Sequence, residues 1–523
     1  MPERSVVRQK MTGKIRNEKY DGLILYLVTF MISVIPALHY TAPAFEDGLG
    51  TMATAAYLTG HDWSDFLVED GYYYKYGQAF WYIIPFMVIH NVVLRYRTML
   101  VINTVLTSFI PVITYRITMK HKLADRADAF AISLLTGLMP CMLLYNKYTW
   151  AETNLFLIPW LILFFEAKLY EEKSLTVWKK KMYSAGIAFL AVYAFMSHQR
   201  GLILVIATTI MILLISYSRE GSVSVPSYLS ALVLGLLADR FLSAWQKEHV
   251  YAGAVMMHNT LADFLKPEIY QKLFSLKGME AMIKLFLGWL YNCSCSTFSI
   301  ALAGLCFMMA ASVGCIRKRR LENVKEVLVG QGLLCFLGAF ALGLLFFFQS
   351  SYGYFDGTQV ERCDHLLFGR YLESSLPVLF YFGLIGINRK QPDRKIFNLS
   401  LIIHAGVFVF VAIELLPIMR NVDCYVHSLM SMNLFMDTAE VTMTRDIIPN
   451  YVPALFLFGV LSVLAALLCR AIFQRNRCIA YILIGVLFLW IYIWNSITVI
   501  GCVDSAYATK YAVFYLYVNF LDN

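Results

Sequence analysis

The stretch GLILYLVTFMISVIPALHY, residues 22–40, decides the fold because it contains no Asp, Glu, Lys or Arg. An α-helix rises about 1.5 Å per residue, so a helix of this length crosses a hydrocarbon core about 30 Å thick. Apolar stretches of similar length recur along the chain as far as residue 500. The sequence therefore predicts an all-α, polytopic integral membrane protein, and it excludes a soluble fold.

The composition supports the same conclusion. Of the 523 residues, 59% are hydrophobic and 15% are charged, whereas soluble domains carry about a quarter charged residues. The formal net charge of +9 arises from short basic clusters between the apolar stretches rather than from one basic face. Such clusters are typical of topology signals in membrane proteins, so the positive charge does not indicate a nucleic-acid partner.

The apolar stretches predict about thirteen membrane-spanning helices. The predicted spans are 22–40, 98–118, 128–145, 153–170, 183–197, 202–217, 226–245, 297–316, 327–348, 372–387, 396–417, 453–469 and 478–500. With a cytoplasmic N-terminus, the basic clusters between spans all fall on the cytoplasmic side, as the positive-inside bias requires. These clusters are 120–126, 179–181, 317–320, 389–395 and 470–477. We therefore predict a multi-pass protein of the plasma membrane with an extracytoplasmic C-terminus.

The apolar stretch 77–94 is left out of this count. If it crossed the membrane, every later basic cluster would lie outside, against the positive-inside bias. The aromatic run GYYYKYGQAFWY, residues 71–82, is typical of a segment at the level of the lipid headgroups. We therefore predict a re-entrant or membrane-surface helix within a long first external loop, residues 41–97.

Three further external segments are predicted at 246–296, 349–371 and 418–452, and they are rich in Asp, His, Arg and Tyr. The cytoplasmic loops are short and basic, so any chemistry is expected at the outer face. Residues 1–523 are predicted to form a single membrane domain with no soluble domain. The eleven cysteines show no metal-ligand spacing.

Carboxylates stand at the predicted outer edge of the membrane, where an ionisable group is costly unless it is paired or used. Glu46 and Asp47 follow the first span, and Glu152 precedes the fourth. If they converge on one cavity, such groups suit general acid-base chemistry. The plainer alternatives are a solvated loop for the first two and neutralisation of Glu152 by the nearby Lys147.

Cationic side chains occupy the same edge. His198 and Arg200 lie in MSHQRG between two short apolar runs, and Arg370 precedes the tenth span. A guanidinium presents a planar fork of donors that fits phosphate oxygens, so both arginines are candidate phosphate ligands. The alternatives are an interfacial anchor for Arg200 and ordinary loop pairing, for example between Arg362 and Asp364.

Five stretches resemble motifs of the GT-C superfamily of membrane glycosyltransferases, most closely those of protein-mannosyltransferase-like proteins of Gram-positive bacteria. The stretches are FEDGLGTMATAAYLTGHDW (45–63), YYYKYGQAFWYIIPF (72–86), LYNKYTWAETNLF (144–156), FMSHQRGL (195–202) and LLFGRYLESSLP (366–377). They occur in the expected order, from the first predicted helix to the tenth. The resemblance implies a GT-C-like arrangement of helices.

In such proteins an acidic pair, Asp then Glu, precedes an Ala-Ala-Tyr-Leu segment. Registering on residues 55–58 places the Asp on Asp47, whereas Gly48 occupies the Glu position and Glu46 precedes the pair. The resemblance thus implies Asp47 as the general base, with Glu46 as the fallback. It also implies that Glu152 lies beside the same cavity.

The resemblance further implies an inverting transfer of a sugar from a polyprenyl-phosphate carrier to an acceptor hydroxyl at the extracytoplasmic face. The lipid tail of the carrier would lie between helices, and the acceptor would be a glycan, lipid or protein of the cell envelope. The predicted substrate-binding residues are Tyr74, Tyr76, Lys147, His198, Arg200, His365, Arg370 and Tyr371. No cofactor and no metal ligand is predicted, although some superfamily members need a divalent metal ion.

Other classes of membrane protein could share these features. A transporter or flippase would place polar residues near the midplane of broken helices; here few lie within spans, and the adjacent Asp239 and Arg240 could neutralise one another. A polysaccharide polymerase or ligase would use similar lipid-linked sugars, and residues 349–371 could imitate its late external loop. A structural scaffold would use the polar edge residues as anchors.

Overall fold

The computed structural model describes residues 2–43, 45–70, 73–172, 174–253, 266–357, 362–388, 394–420, 422, 424–436 and 450–505. Throughout these ranges the regular structure is helical, and no β-strand occurs beyond isolated bridges. The prediction of an all-α, polytopic membrane protein is therefore confirmed.

The first half of the chain contains α1 (Pro2–Ala37), α2 (Phe45–Leu58), α3 (Ser64–Asp70), α4 (Ile83–Val88), α5 (Val92–Thr107), α6 (Ile110–Lys120), α7 (Arg126–Gly137), α8 (Pro140–Tyr145), α9 (Glu152–Glu171), α10 (Val177–Ser197), α11 (Leu202–Ser218) and α12 (Val225–His249). The second half contains α13 (Pro267–Leu273), α14 (Leu276–Cys295), α15 (Ile300–Lys318), α16 (Val324–Asp356), α17 (Arg370–Glu373), α18 (Leu376–Ile387), α19 (Arg394–Phe410), α20 (Leu416–Met419), α21 (Tyr451–Phe473) and α22 (Arg477–Trp494). Short 3₁₀ helices cover Gln78–Tyr82, Gln199–Gly201, Asp364–Leu367 and Val426–Met432.

Within the described ranges, ten helices are long and apolar enough to cross a membrane. They are Tyr20–Ala37, Val92–Lys120, Glu152–Glu171, Gln199–Ser218, Val225–His249, Ile300–Lys318, Val324–Asp356, Lys395–Met419, Tyr451–Phe473 and Arg477–Ser505.

Three of the thirteen predicted spans are not among these ten. The span 128–145 is divided into α7 and α8, because Pro140 cannot continue the preceding helix. The span 372–387 corresponds to the end of α17 and the short α18, and α8 and α18 are both buried along their whole length. The span 183–197 is the apolar part of α10, whose first two turns contain three consecutive lysines, residues 179–181. The exact number of crossings therefore stays a prediction.

The stretch 77–94 forms no single long helix. The continuous helical part, Gln78–Val88, is about 16 Å long, which is too short to cross a hydrocarbon core. Five of its apolar side chains are exposed: Phe80, Trp81, Ile84, Met87 and Val88. This geometry supports the predicted re-entrant or membrane-surface segment, whose depth in the bilayer stays a prediction.

The predicted external segments contain more helix than the sequence indicated. In 246–296, α14 packs on α16 and buries Trp289, although its first turns carry Lys277, Glu280 and Lys284, which lower the local hydropathy. In 349–371, α16 continues as far as Asp356. These segments are therefore not loops throughout, while residues 254–265, 358–361 and 437–449 lie outside the described ranges.

Two sets of hydrogen bonds fix the first external segment on the helical bundle. The Thr149 hydroxyl donates to the carbonyl oxygen of Gly48 at 2.9 Å, and the Thr51 hydroxyl donates to that of Thr149 at 2.9 Å. Further along, the backbone N–H of Gly77 donates to the carbonyl oxygen of Met196 at 2.8 Å. The helix α2 is thus held against the turn before α9, next to the turn between α10 and α11.

Candidate active site

Four charged side chains from distant parts of the sequence form one arginine–carboxylate cluster: Asp47, Glu152, Arg200 and Arg370. Arg370 donates from Nη1 to Oδ2 of Asp47 at 2.5 Å and from Nε to Oε1 of Glu152 at 2.7 Å. Arg200 donates from Nη2 to the same Oε1 of Glu152 at 2.6 Å. Two carboxylates and two guanidiniums therefore balance one another, as charges removed from water require.

The two carboxylates of the cluster differ in accessibility. The side chain of Glu152 is 1% exposed, and its second oxygen, Oε2, is buried without a hydrogen-bond partner among the residues that the structure describes. The side chain of Asp47 is 31% exposed and also accepts a hydrogen bond from the Tyr74 hydroxyl at 3.0 Å. Asp47 is therefore the carboxylate that a bound molecule can reach.

Tyr74 reaches Asp47 because α2 carries a glycine where the tyrosine ring lies. A Cβ atom built on Gly50 would stand 1.8 Å from Cδ2 of Tyr74, so no larger residue fits without moving the ring. The glycines of FEDGLG thus have a steric role that the sequence did not reveal.

Aromatic rings cover both guanidiniums of the cluster. Cζ of Arg370 lies 3.9 Å from the centre of the Trp150 ring, and Cζ of Arg200 lies 4.4 Å from that of Tyr371. Cation–π contacts of this kind hold an arginine in one orientation. Burial lowers the pKa of Arg370, but Glu152 and Asp47 raise it further, so the net pKa lies above its usual range and the side chain stays charged.

His198 supports Arg200 from the turn between α10 and α11. Its Nδ1 accepts a hydrogen bond from the backbone N–H of Arg200 at 3.1 Å, and its ring lies edge-on to Tyr371 with the centroids 6.4 Å apart. Burial, and then the charge of Arg200, hold the pKa of His198 well below its usual range. At neutral pH the imidazole is therefore uncharged and acts as an acceptor.

Some predicted site residues lie away from the cluster. The Tyr76 hydroxyl donates to Oδ1 of Asp239 at 2.9 Å, and Lys75 donates to the same carboxylate at 2.8 Å. Asp239 is therefore neutralised by Lys75 rather than by Arg240, because adjacent residues on a helix point in different directions.

Lys147 is buried and donates to the carbonyl oxygen and the hydroxyl of Ser33 in α1. It does not pair with Glu152, whose partners are the two arginines. Burial lowers the pKa of Lys147 to about 7. The structure thus gives Lys147 a packing role at α1 instead of a place in the cluster.

The predicted pairing of Arg362 with Asp364 is present, with Nε and Oδ1 3.1 Å apart. The neighbouring His365 packs on Phe347 with ring centroids 4.7 Å apart, and burial lowers its pKa to about 4. Phe347 in turn packs on Tyr371, which covers Arg200 of the cluster. The rings of Phe347 and Tyr371 therefore lie between His365 and the cluster. The backbone of Glu46 lies in α2, and its side chain falls outside the described part of the structure.

Glu373 is a buried carboxyl group near the site that the sequence did not single out. Its Oε2 accepts from the Tyr145 hydroxyl at 2.6 Å, and its Oε1 accepts from the backbone N–H of Ser431 at 3.3 Å. Its position in LLFGRYLESSLP, three residues after Arg370, was the available signal.

A cavity of about 40 Å³ with a mainly apolar lining adjoins the cluster at Arg200 and Tyr371. It lies between α9, α11, α16 and α18. Its lining is Leu155, Pro159, Arg200, Ile203, Leu204, Cys335, Ala339, Tyr371, Ser374, Ser375 and Val378. An anion at Arg200 would therefore lie next to apolar side chains.

No group of three or more His, Cys, Asp or Glu side chains that could hold a metal ion occurs in the ranges the structure describes.

The fold and the site together define a polytopic, all-α membrane protein in which an arginine–carboxylate cluster adjoins an apolar cavity. No protein-family model matches the sequence, and a search of curated proteins gives no match. The chain is similar to the crystal structure of ArnT from Cupriavidus metallidurans in the apo state, with 10% sequence identity and a TM-score of 0.47, over 93% of this chain and 77% of that chain. It is also similar to the crystal structure of ArnT from Cupriavidus metallidurans bound to undecaprenyl phosphate, with 10% identity and a TM-score of 0.45, over 96% of this chain and 79% of that chain.

Proposed function

We propose that this protein is a glycosyltransferase that moves a sugar from a polyprenyl-phosphate carrier to an acceptor hydroxyl at the extracytoplasmic face of the plasma membrane. The observation that carries the proposal is the juxtaposition of three features: two guanidiniums, an accessible carboxylate and an apolar cavity. The N-terminus lies in the cytoplasm, and a reporter fused after residue 523 is expected outside it. The physiological role is the glycosylation of cell-envelope glycans, lipids or proteins.

The donor is recognised at both of its ends. Aliphatic side chains of the cavity, such as Leu155 and Ile203, bury the first part of the lipid tail. The phosphate lies at Arg200 and Arg370, because a guanidinium fork matches phosphate oxygens. The N-terminus of α9, which begins at Glu152, contributes a partial positive charge at the same place.

Transfer then proceeds with inversion at the anomeric carbon. Asp47 takes the proton of the acceptor hydroxyl, and the acceptor oxygen forms a bond to the anomeric carbon. The bond from that carbon to the phosphate oxygen breaks, and the electron pair stays on the phosphate. The arginines stabilise the charge that grows there. Glu152 holds both arginines in place, since neither of its oxygens is accessible.

A purified preparation tests this proposal. Wild type is incubated with a panel of polyprenyl-phosphate sugars and with cell-envelope glycans, lipids and proteins as acceptors, and both the binding of the carrier and the release of polyprenyl phosphate are measured. Asp47→Asn is expected to bind the carrier and to release product about 10²- to 10⁴-fold more slowly, the usual contribution of a general base. The matched control is Asp62→Asn, the same change at an exposed residue of the same external segment.

The outcomes separate the alternatives. Wild-type rates for Asp47→Asn would show that Asp47 is not the base, and Glu46→Gln would then be the next variant. If wild type binds the carrier and never consumes it, the protein is instead a flippase or transporter, which the apolar cavity beside Arg200 would also suit. If wild type neither binds nor consumes any carrier, the proposal is wrong.

A further inference from the structure

We propose that the phosphate of the donor and the carboxylate of Asp47 compete for Arg370, so that Asp47 becomes free to act as a base only after the donor is bound. This inference rests on the proposed function, and it adds an order of events to it. The contact between Asp47 and Arg370 is then an inhibitory contact that the donor removes.

The distribution of hydrogen bonds identifies Arg370 as the guanidinium that exchanges partners. Arg200 donates from Nη2 to Glu152, from Nη1 to the carbonyl oxygen of Arg370 at 3.0 Å, and from Nε to His198 at 3.4 Å. Each of its three nitrogens thus has a protein partner. Arg370 holds Glu152 and Asp47 through Nε and Nη1, and the structure records no hydrogen bond from its Nη2 to a described residue.

Accessibility identifies Asp47 as the partner that is displaced. Glu152 is 1% exposed and shared by two arginines, so displacing it would leave the buried Arg200 without a carboxylate partner. Asp47 is 31% exposed and has Tyr74 as a second partner, so it can leave Arg370 and keep a hydrogen bond. The Trp150 ring keeps the guanidinium in place during the exchange.

The exchange couples donor binding to acceptor activation. In the structure, Oδ2 of Asp47 accepts a hydrogen bond from Arg370, and Oδ1 accepts one from Tyr74. A phosphate brings several strong acceptor oxygens and an equivalent negative charge, so it can replace Oδ2 at Arg370 without leaving the guanidinium unpaired. The released oxygen of Asp47 is then available to the acceptor hydroxyl. Because this oxygen is released only by the donor, an acceptor is activated less when no donor is present.

The test measures the binding of undecaprenyl phosphate without a sugar, so that no turnover is needed. If Asp47 competes for Arg370, Asp47→Asn binds this lipid about tenfold more tightly than wild type, as expected for loss of one charge-assisted hydrogen bond. Asp62→Asn keeps the wild-type affinity. Asp47→Ser, which replaces the carboxylate by a hydroxyl group, provides a second variant. Thermal unfolding checks that each protein is folded.

A double-mutant cycle separates competition for Arg370 from simple repulsion between Asp47 and the phosphate. In the Arg370→Gln background, competition predicts that Asp47→Asn no longer changes the affinity for the lipid. Simple repulsion predicts that Asp47→Asn still binds the lipid more tightly, and this result would overturn the inference. Equal or weaker binding by folded Asp47→Asn and Asp47→Ser also overturns it, and leaves the proposed function intact if wild type still consumes the carrier. Failure of every variant, wild type included, to bind the lipid overturns both.

Discussion

Glu152 contacts two arginines through one buried oxygen atom. Its Oε1 accepts from Arg200 at 2.6 Å and from Arg370 at 2.7 Å, while Oε2 has no hydrogen-bond partner among the described residues. A guanidinium that is buried without an anion is strongly destabilising. At the scale of single residues, Glu152 therefore preserves the geometry of the cluster, and in the proposed reaction Asp47 is the carboxylate for proton transfer.

Replacing Glu152 by Gln is expected to destabilise the protein by about 3–5 kcal/mol, because two buried cations lose their common partner. Glu172→Gln is the matched control, since Glu172 pairs with Lys120 at 2.6 Å at an exposed position, where such pairs contribute about 1 kcal/mol or less. Denaturant unfolding in a single detergent measures both variants. Equal small effects would contradict the role given to Glu152.

Lys147 is expected to make stability depend on pH. Burial lowers its pKa in the folded protein to about 7, whereas an unfolded chain has a lysine pKa of about 10.4. Between these values the unfolded chain binds a proton that the folded chain does not, so stability rises with pH. Lys147→Met should flatten the dependence of the melting temperature on pH between about 7 and 9. The exposed Lys277→Met should keep the wild-type slope, and the same slope in both variants would count against this explanation.

At the scale of helices and turns, the sequence predicted that the candidate residues share one side of the membrane. Each of Asp47, Glu152, Arg200 and Arg370 lies near an end of a predicted span, and the positive-inside bias assigns these ends to the outer side. Ionisable groups at a membrane edge are costly, which made them visible as site candidates. The structure brings all four together, whereas the residue pattern left their convergence open and only the resemblance to GT-C proteins implied a shared cavity.

The partners of individual polar residues could not be predicted in the same way. Lys147 is close to Glu152 in sequence, yet the turn before α9 directs it to Ser33. Asp239 pairs with Lys75, which is 164 positions away. Such contacts depend on how helices pack, and no local pattern contains that information.

The close contact between α2 and Tyr74 gives a prediction at this scale. Gly50→Ala would force the tyrosine ring away from α2, because the added Cβ overlaps the ring, and such overpacking costs about 1–3 kcal/mol. Loss of the hydrogen bond from Tyr74 to Asp47 should lower transfer activity as well. Gly186→Ala, in α10 with no atom within 4 Å of the added Cβ, is the control and should be neutral or slightly stabilising. Activity and melting temperature are measured for both variants, and equal values in the two would contradict the steric role of Gly50.

The cavity between α9, α11, α16 and α18 gives a second prediction at this scale. Ala339 lines it from α16, so Ala339→Phe should fill part of the space and weaken carrier binding about tenfold or more. Leu337→Phe, on the exposed side of the same helix, should bind the carrier as wild type does. If both variants bind equally well, the lipid tail does not occupy this cavity.

At the scale of the whole molecule, the ends of several helices meet around the arginine–carboxylate cluster. The helices α9 and α11 begin at the cluster, at Glu152 and just after Arg200, and α10 ends beside it at Ser197. Two helix N-termini at one place favour an anion there. This arrangement supports the proposal that a negatively charged head binds at the cluster.

A structure of the protein determined by cryo-electron microscopy with bound undecaprenyl phosphate tests the central claim most directly. The account predicts that the phosphate lies within hydrogen-bond distance of Arg370 and that density for the tail enters the cavity lined by Ala339. Lipid density elsewhere on the bundle, with the contact between Asp47 and Arg370 unchanged, would contradict it.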